Sequence, residues 1–139
     1  MISDRSTDVV SAHFSFETSA FDDSAEVRSE TVNGIVGHSL ATWLANELKA
    51  AGFAASDIWA EDHGWDFAIT HAGVKYHCAC SLATEDGAPF EGHVAVAKRR
   101  SLWDRLTGRN AYTKDDPVAA EILAVLQRSA DVAKLAAEQ

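Results

Sequence analysis

Apolar and polar positions alternate most sharply between Ile58 and Leu82, where the pattern predicts three antiparallel strands joined by two short turns. With Ala72-Gly73 as a two-residue turn, His71 faces Val74, Ile69 faces Tyr76, Phe67 faces Cys78 and Trp65 faces Cys80, which gathers an apolar set on one face. Asp66, Ala68 and Thr70 then lie opposite Ala79, His77 and Lys75, a polar and small-residue set suited to a more exposed surface. Upstream, Asp62-His63-Gly64 has the length of a three-residue hairpin loop with Gly64 in the left-handed position, joining a strand at 57–61 to one at 65–71.

The remaining elements follow from the same periodicities. Ala12, Phe14 and Phe16 alternate with His13, Ser15 and Glu17 as a first strand, and Val94 and Val96 mark one face of a strand over 92–98. Residues 18–33, acidic and rich in Ser and Thr, read as a connection holding at most one helical turn. From about Gly34 to Ala51, Val36, Leu40, Trp43, Leu44, Leu48 and Ala51 follow helical spacing, and Gly52 supplies the stop. Ser101 caps a short helix carrying Leu102, Trp103 and Leu106, ended by Gly108. Asp116-Pro117 opens a last helix whose face, Val118, Ile122, Val125, Leu126, Ser129, Val132 and Ala136, runs nearly to the chain end. The resulting β-α-β-β-β-β-α-α order predicts an α+β fold, an antiparallel sheet of about five strands with two long amphipathic helices packed on one face. Residues 1–10 read as a flexible N-terminal tail and 11–139 as a single α+β domain.

At 139 residues the chain is long enough to bury a core without a disulfide or metal staple. No apolar run approaches the ~20 residues of a membrane span, and the first residues lack a basic start and an apolar stretch, so the expected compartment is cytoplasmic, with no membrane partner. Cys78 and Cys80 sit two apart on one strand, about 7 Å from each other, a poor disulfide geometry, and read as buried thiols.

The net charge of −9 changes the picture through its distribution. Residues 98–114 hold six of the twelve basic residues against one acid, while 1–32 and 57–91 are acidic. The overall sign disfavours nucleic acid, whose binding rests on neutralising phosphates. It leaves room for a local anionic ligand at Arg99, Arg100 and Arg105, where guanidiniums lie near Trp103 and Tyr112.

Candidate chemistry gathers in three further places. Glu61, His63 and Trp65 crowd one hairpin tip, a position that displays ligand-contacting residues. Asp66, His77 and His93 share the exposed sheet face, where a carboxylate and two imidazoles could hold a divalent metal or run acid–base chemistry. Gly34 and Gly37 precede a helix whose free amides suit an anion. No phosphate loop, dinucleotide fingerprint, metalloprotease or nucleophile-elbow motif is present. The expectation is therefore a small acidic non-catalytic binding module that engages a protein partner or a second copy of itself as a homodimer, through Glu61, His63 and Trp65. No cofactor is expected on that reading. The alternative is a metal-binding protein or small enzyme using Asp66, His77 and His93 with a divalent ion.

Overall fold

The structure, a computed structural model, describes residues 10–31 and 34–138. Among them are seven strands and four helices: β1 (Ala12–Thr18), α1 (Ala25–Arg28), α2 (His38–Ala50), β2 (Ala54–Ala55), β3 (Trp59–Glu61), β4 (Gly64–His71), β5 (Val74–Ala83), β6 (Phe90–Lys98), α3 (Leu102–Thr107), α4 (Pro117–Arg128) and β7 (Ala133–Glu138). One antiparallel sheet in the order β2-β4-β5-β6-β1-β7, with β3 beside β2 on the outer edge of β4, confirms the α+β class. Apart from Val10, the residues read as a tail lie outside the described residues.

The central hairpin forms in the register its alternation dictates. Trp65, Phe67, Ile69 and His71 face Cys80, Cys78, Tyr76 and Val74. The turn that permits this has Ala72 at φ 51 and Gly73 at φ 78, the left-handed pair that matches the twist of two-residue hairpins. Apolar residues of that face, with Phe14, Val94 and Val96, pack under Leu40, Leu44 and Leu48 of α2 and Val118, Ile122, Val125 and Leu126 of α4. Each such side chain, fully buried, contributes about 1.5–3 kcal/mol relative to exposure. Cys78 and Cys80 belong to this core. A hydrogen bond to Cys80 and burial push the Cys78 thiol up, which keeps it protonated and inert.

Two buried acids fasten the starts of the long helices. Asp116 caps α4, its Oδ1 accepting from the Val118 and Ala119 amides at 3.0 and 3.2 Å. Its Oδ2 accepts from the Tyr76 hydroxyl at 2.8 Å and meets Lys98 Nζ at 3.4 Å, so the start of α4 is tied to β5 and β6. Burial and the Asp116 bond hold the Tyr76 hydroxyl proton far above its ordinary range. Asp23 accepts from the amides of Gly37, His38 and Ser39 at 3.1, 3.0 and 2.7 Å. The anion expected at the start of α2 is thus the chain's own carboxylate.

Four sequence expectations are corrected. The last helix stops at Arg128 instead of running to Ala136, because the following residues satisfy the open edge of β1 as β7. Ser129 is already extended at φ −79, ψ 129. The helix expected from Gly34 begins at His38, and Val36 instead bridges Leu82. The strand expected over 57–61 is shorter, β3 at Trp59–Glu61, and a separate two-residue strand, β2, precedes it. The three-residue loop is a two-residue turn, Asp62-His63, with Glu61 opposite Gly64.

The Asp116 junction carries a measurable share of the stability. Asp116→Ala removes a helix cap and leaves the Tyr76 hydroxyl without its acceptor, and is expected to cost about 2–4 kcal/mol in urea unfolding. A loss below about 0.5 kcal/mol would show that the junction is not a fastening point.

Candidate functional site

The open face of the sheet is organised by the register of β3, β4 and β5. Trp59 lies opposite Asp66, Asp66 opposite Ala79, and His77 opposite Ala68, one step diagonal from Asp66. Side chains at these positions project away from the core because successive residues alternate faces. Asp66 is nevertheless completely buried, with 0% exposure.

What covers it is a pair of imidazoles. His63 Nε2 lies 2.9 and 2.8 Å from the two Asp66 oxygens, and His77 Nε2 makes a short hydrogen bond to Oδ2. With Nε2 protonated, each ring donates to the carboxylate. No lysine or arginine pairs with Asp66 among the described residues. Trp59 packs edge-on against the His77 ring at 5.6 Å, while its indole N–H donates to Glu61 Oε2 at 2.7 Å, so that Glu61 is held by the strand that orients His77.

His63 reaches Asp66 because the β3–β4 turn lies tight against β5. A Cβ built on Gly64 would stand 2.2 Å from the Cys80 carbonyl oxygen, and Gly64 has φ +148. Only glycine fits a backbone approach of that kind.

Across β5 and β6 stands a second imidazole pair. His13 Nε2 and His93 Nδ1 are 3.0 Å apart, with the ring planes nearly parallel at 12°, and His93 Nε2 lies 2.7 Å from Glu91 Oε1. Between the two groups Ala79 and Ala95, paired across β5 and β6, make a low floor. The result is a cleft of about 440 Å³ whose walls include His13, His63, Asp66, His77 and His93. Four of the six histidines in the chain thus meet in one place.

The residues singled out from sequence are distributed as follows. Asp66 and His77 are together, as their diagonal register implied; His93 shares their cleft but is engaged with His13 and Glu91. Of the hairpin-tip residues, Glu61 and His63 line the cleft, whereas Trp65 faces the core, 6% exposed, against the His38 ring. Its indole N–H is buried with no hydrogen-bond partner among the described residues. Arg99, Arg100 and Arg105 lie around α3, where Arg100 donates to the carbonyls of Arg109 and Asp104 at 3.0 and 3.1 Å. Sequence reasoning left His63 out of the metal set and did not select His13. The i,i+3 spacing of His63 and Asp66 was a legible signal; the partnership of His13 with His93 depends on β1 pairing with β6 and had none.

No protein-family model, curated protein or solved structure matches the chain, so the site is read from its own chemistry.

Gly64 is the position on which the turn depends. Gly64→Ala sets a methyl group against a backbone carbonyl that has no freedom to swing aside, and is expected to destabilise by at least about 2 kcal/mol in thermal or urea unfolding. A neutral substitution would mean that β4 and β5 are further apart than described.

Proposed function

We propose that this protein binds one divalent transition-metal ion through His63 Nε2, the Asp66 carboxylate and His77 Nε2, and that the metal's open positions face the four-histidine cleft. The observation that carries this reading is the convergence of three ligand atoms, all within 4.8 Å of one another, on a carboxylate with no exposure. A tetrahedral ion held by bonds of about 2.0–2.2 Å keeps its donors roughly 3.3–3.6 Å apart, so its entry would replace the His63–Asp66 hydrogen bonds of 2.8 and 2.9 Å and ask for small shifts of the imidazoles, of which His63 is exposed.

The donor set indicates the class of ion. Two imidazole nitrogens and one carboxylate oxygen suit zinc, iron(II), cobalt, nickel or copper, whereas calcium and magnesium favour all-oxygen shells. Three protein donors leave coordination positions for water or a small ligand, the arrangement of catalytic rather than structural metal sites. Trp59, its indole held by Glu61, supplies an outer contact to the His77 ring. The ion's charge would also offset the cost of the buried Asp66 charge, which the two imidazoles otherwise bear alone.

Titration of the untagged protein with zinc by calorimetry is expected to give one ion per chain. His63→Ala and His77→Ala are each expected to weaken binding by more than the roughly 10–100-fold that a lost outer-shell contact costs. His93→Ala should leave that affinity within about threefold, since His93 pairs with His13 instead. Absence of binding, or binding indifferent to His63 and His77 but lost with His93, would contradict the assignment.

A further inference from the structure

Topology sorts the charges of this chain to opposite ends of its sheet. The turn Asp62-His63, the β5–β6 loop with Glu85 and Asp86, and Glu91 all fall at the end where Ala83 pairs with Glu91. Lys98 and the segment that follows fall at the other end, beside the Ala72-Gly73 turn, where Tyr76 pairs with Lys98. Residues 84–91 carry three acids and no base, and residues 98–114 carry six bases against one acid, +5 in a chain of −9.

The basic end also holds three of the four exposed large hydrophobic residues among the described residues. Leu102, Trp103 and Leu106 of α3 are 73%, 63% and 71% exposed, and α3 has no buried residue. A six-residue helix is too short to be stable in water by itself. This one is held by a Ser101/Asp104 capping box, by Gly108 in the left-handed conformation and by the Arg100 guanidinium donating to the Asp104 carbonyl. At 100° per residue, Leu102, Trp103 and Leu106 span an arc of about 100°, with Arg105 on its flank and Asp104 on the far side. Clustered exposure of this kind on a soluble surface marks a contact site.

We propose that α3 docks on the acidic β5–β6 loop of a second copy of this chain, forming an antiparallel two-fold dimer. An antiparallel arrangement brings the basic end of each copy onto the acidic end of the other, so one symmetry operation satisfies both contacts at once. The loop offers the matching chemistry: Glu85 and Asp86 are exposed for the arginines, and Ala88 and Pro89 are exposed for Leu102, Trp103 and Leu106. This inference is independent of the metal reading, because it uses neither the cleft histidines nor Asp66.

Sedimentation velocity of the full chain over a range of concentrations tests it. A monomer–dimer equilibrium is expected, with the dissociation constant raised at least tenfold by Trp103→Ala with Leu106→Ala, whose exposed side chains leave the fold intact by circular dichroism. Raising salt from about 0.1 M to about 1 M shortens the Debye length from about 10 Å to about 3 Å and is expected to weaken the dimer as well. The discriminating step mixes Arg105→Glu with a Glu85→Lys, Asp86→Lys variant. Each alone is expected to stay monomeric, and the mixture to recover a heterodimer, since one of its contacts is native and the other has both signs reversed. A monomer at every concentration, including one that sediments with anionic vesicles or a different acidic protein, overturns the proposal, as does a dimer indifferent to α3 or a mixture that fails to associate.

Discussion

A carboxylate removed from water must be matched by donors or it will not stay charged, and the effective penalty is several kcal/mol for each ion. Asp66 imposes that constraint on the open face of this sheet. Its solution requires His63 to fold back from a tight turn, Gly64 to let that turn lie against the Cys80 carbonyl, His77 to stand one diagonal away and Trp59 to hold the His77 ring. The cleft exists because those side chains rise on one side of an alanine floor while His13 and His93 rise on the other.

Three acids are buried among the described residues, and the contrast between them is instructive. Asp23 is matched by three amides at the start of α2, and Asp116 by two amides, a hydroxyl and a lysine. Both serve to fasten a helix, and neither belongs to a group of ligand side chains among the described residues. Asp66 is matched by two imidazoles, whose nitrogens are donors when protonated and metal ligands when not. It also fastens no helix. A buried carboxylate that caps no helix and is covered by imidazole nitrogens beside a cleft is what supports the proposed metal site.

Much of the fold was legible because it is carried by local patterns. The β4–β5 register follows from strict alternation around Ala72-Gly73, and α3 from Ser101 and Gly108. What failed was decided by distant pairing. Ala136 continues the helical spacing of α4, yet its backbone is claimed by the free edge of β1, a demand no helical window reveals. The site was half legible for the same reason. Asp66 and His77 lie on adjacent strands of one hairpin and could be paired on paper, whereas His13 and His93 meet only because β1, 80 residues away in sequence, returns beside β6. His63 was grouped with the hairpin tip and not with Asp66 because the turn was read one residue too long, as Asp62-His63-Gly64 in place of Asp62-His63.

The central claim is that His63, Asp66 and His77 are ligands of one ion, and anomalous diffraction from a crystal soaked in zinc, recorded on both sides of the zinc edge, addresses it most directly. The account predicts a single strong peak within about 2.0–2.2 Å of both Nε2 atoms and an Asp66 oxygen. A peak at the His13–His93 pair alone, or none in the cleft, would contradict it and leave the two imidazoles as no more than the cover of a buried charge.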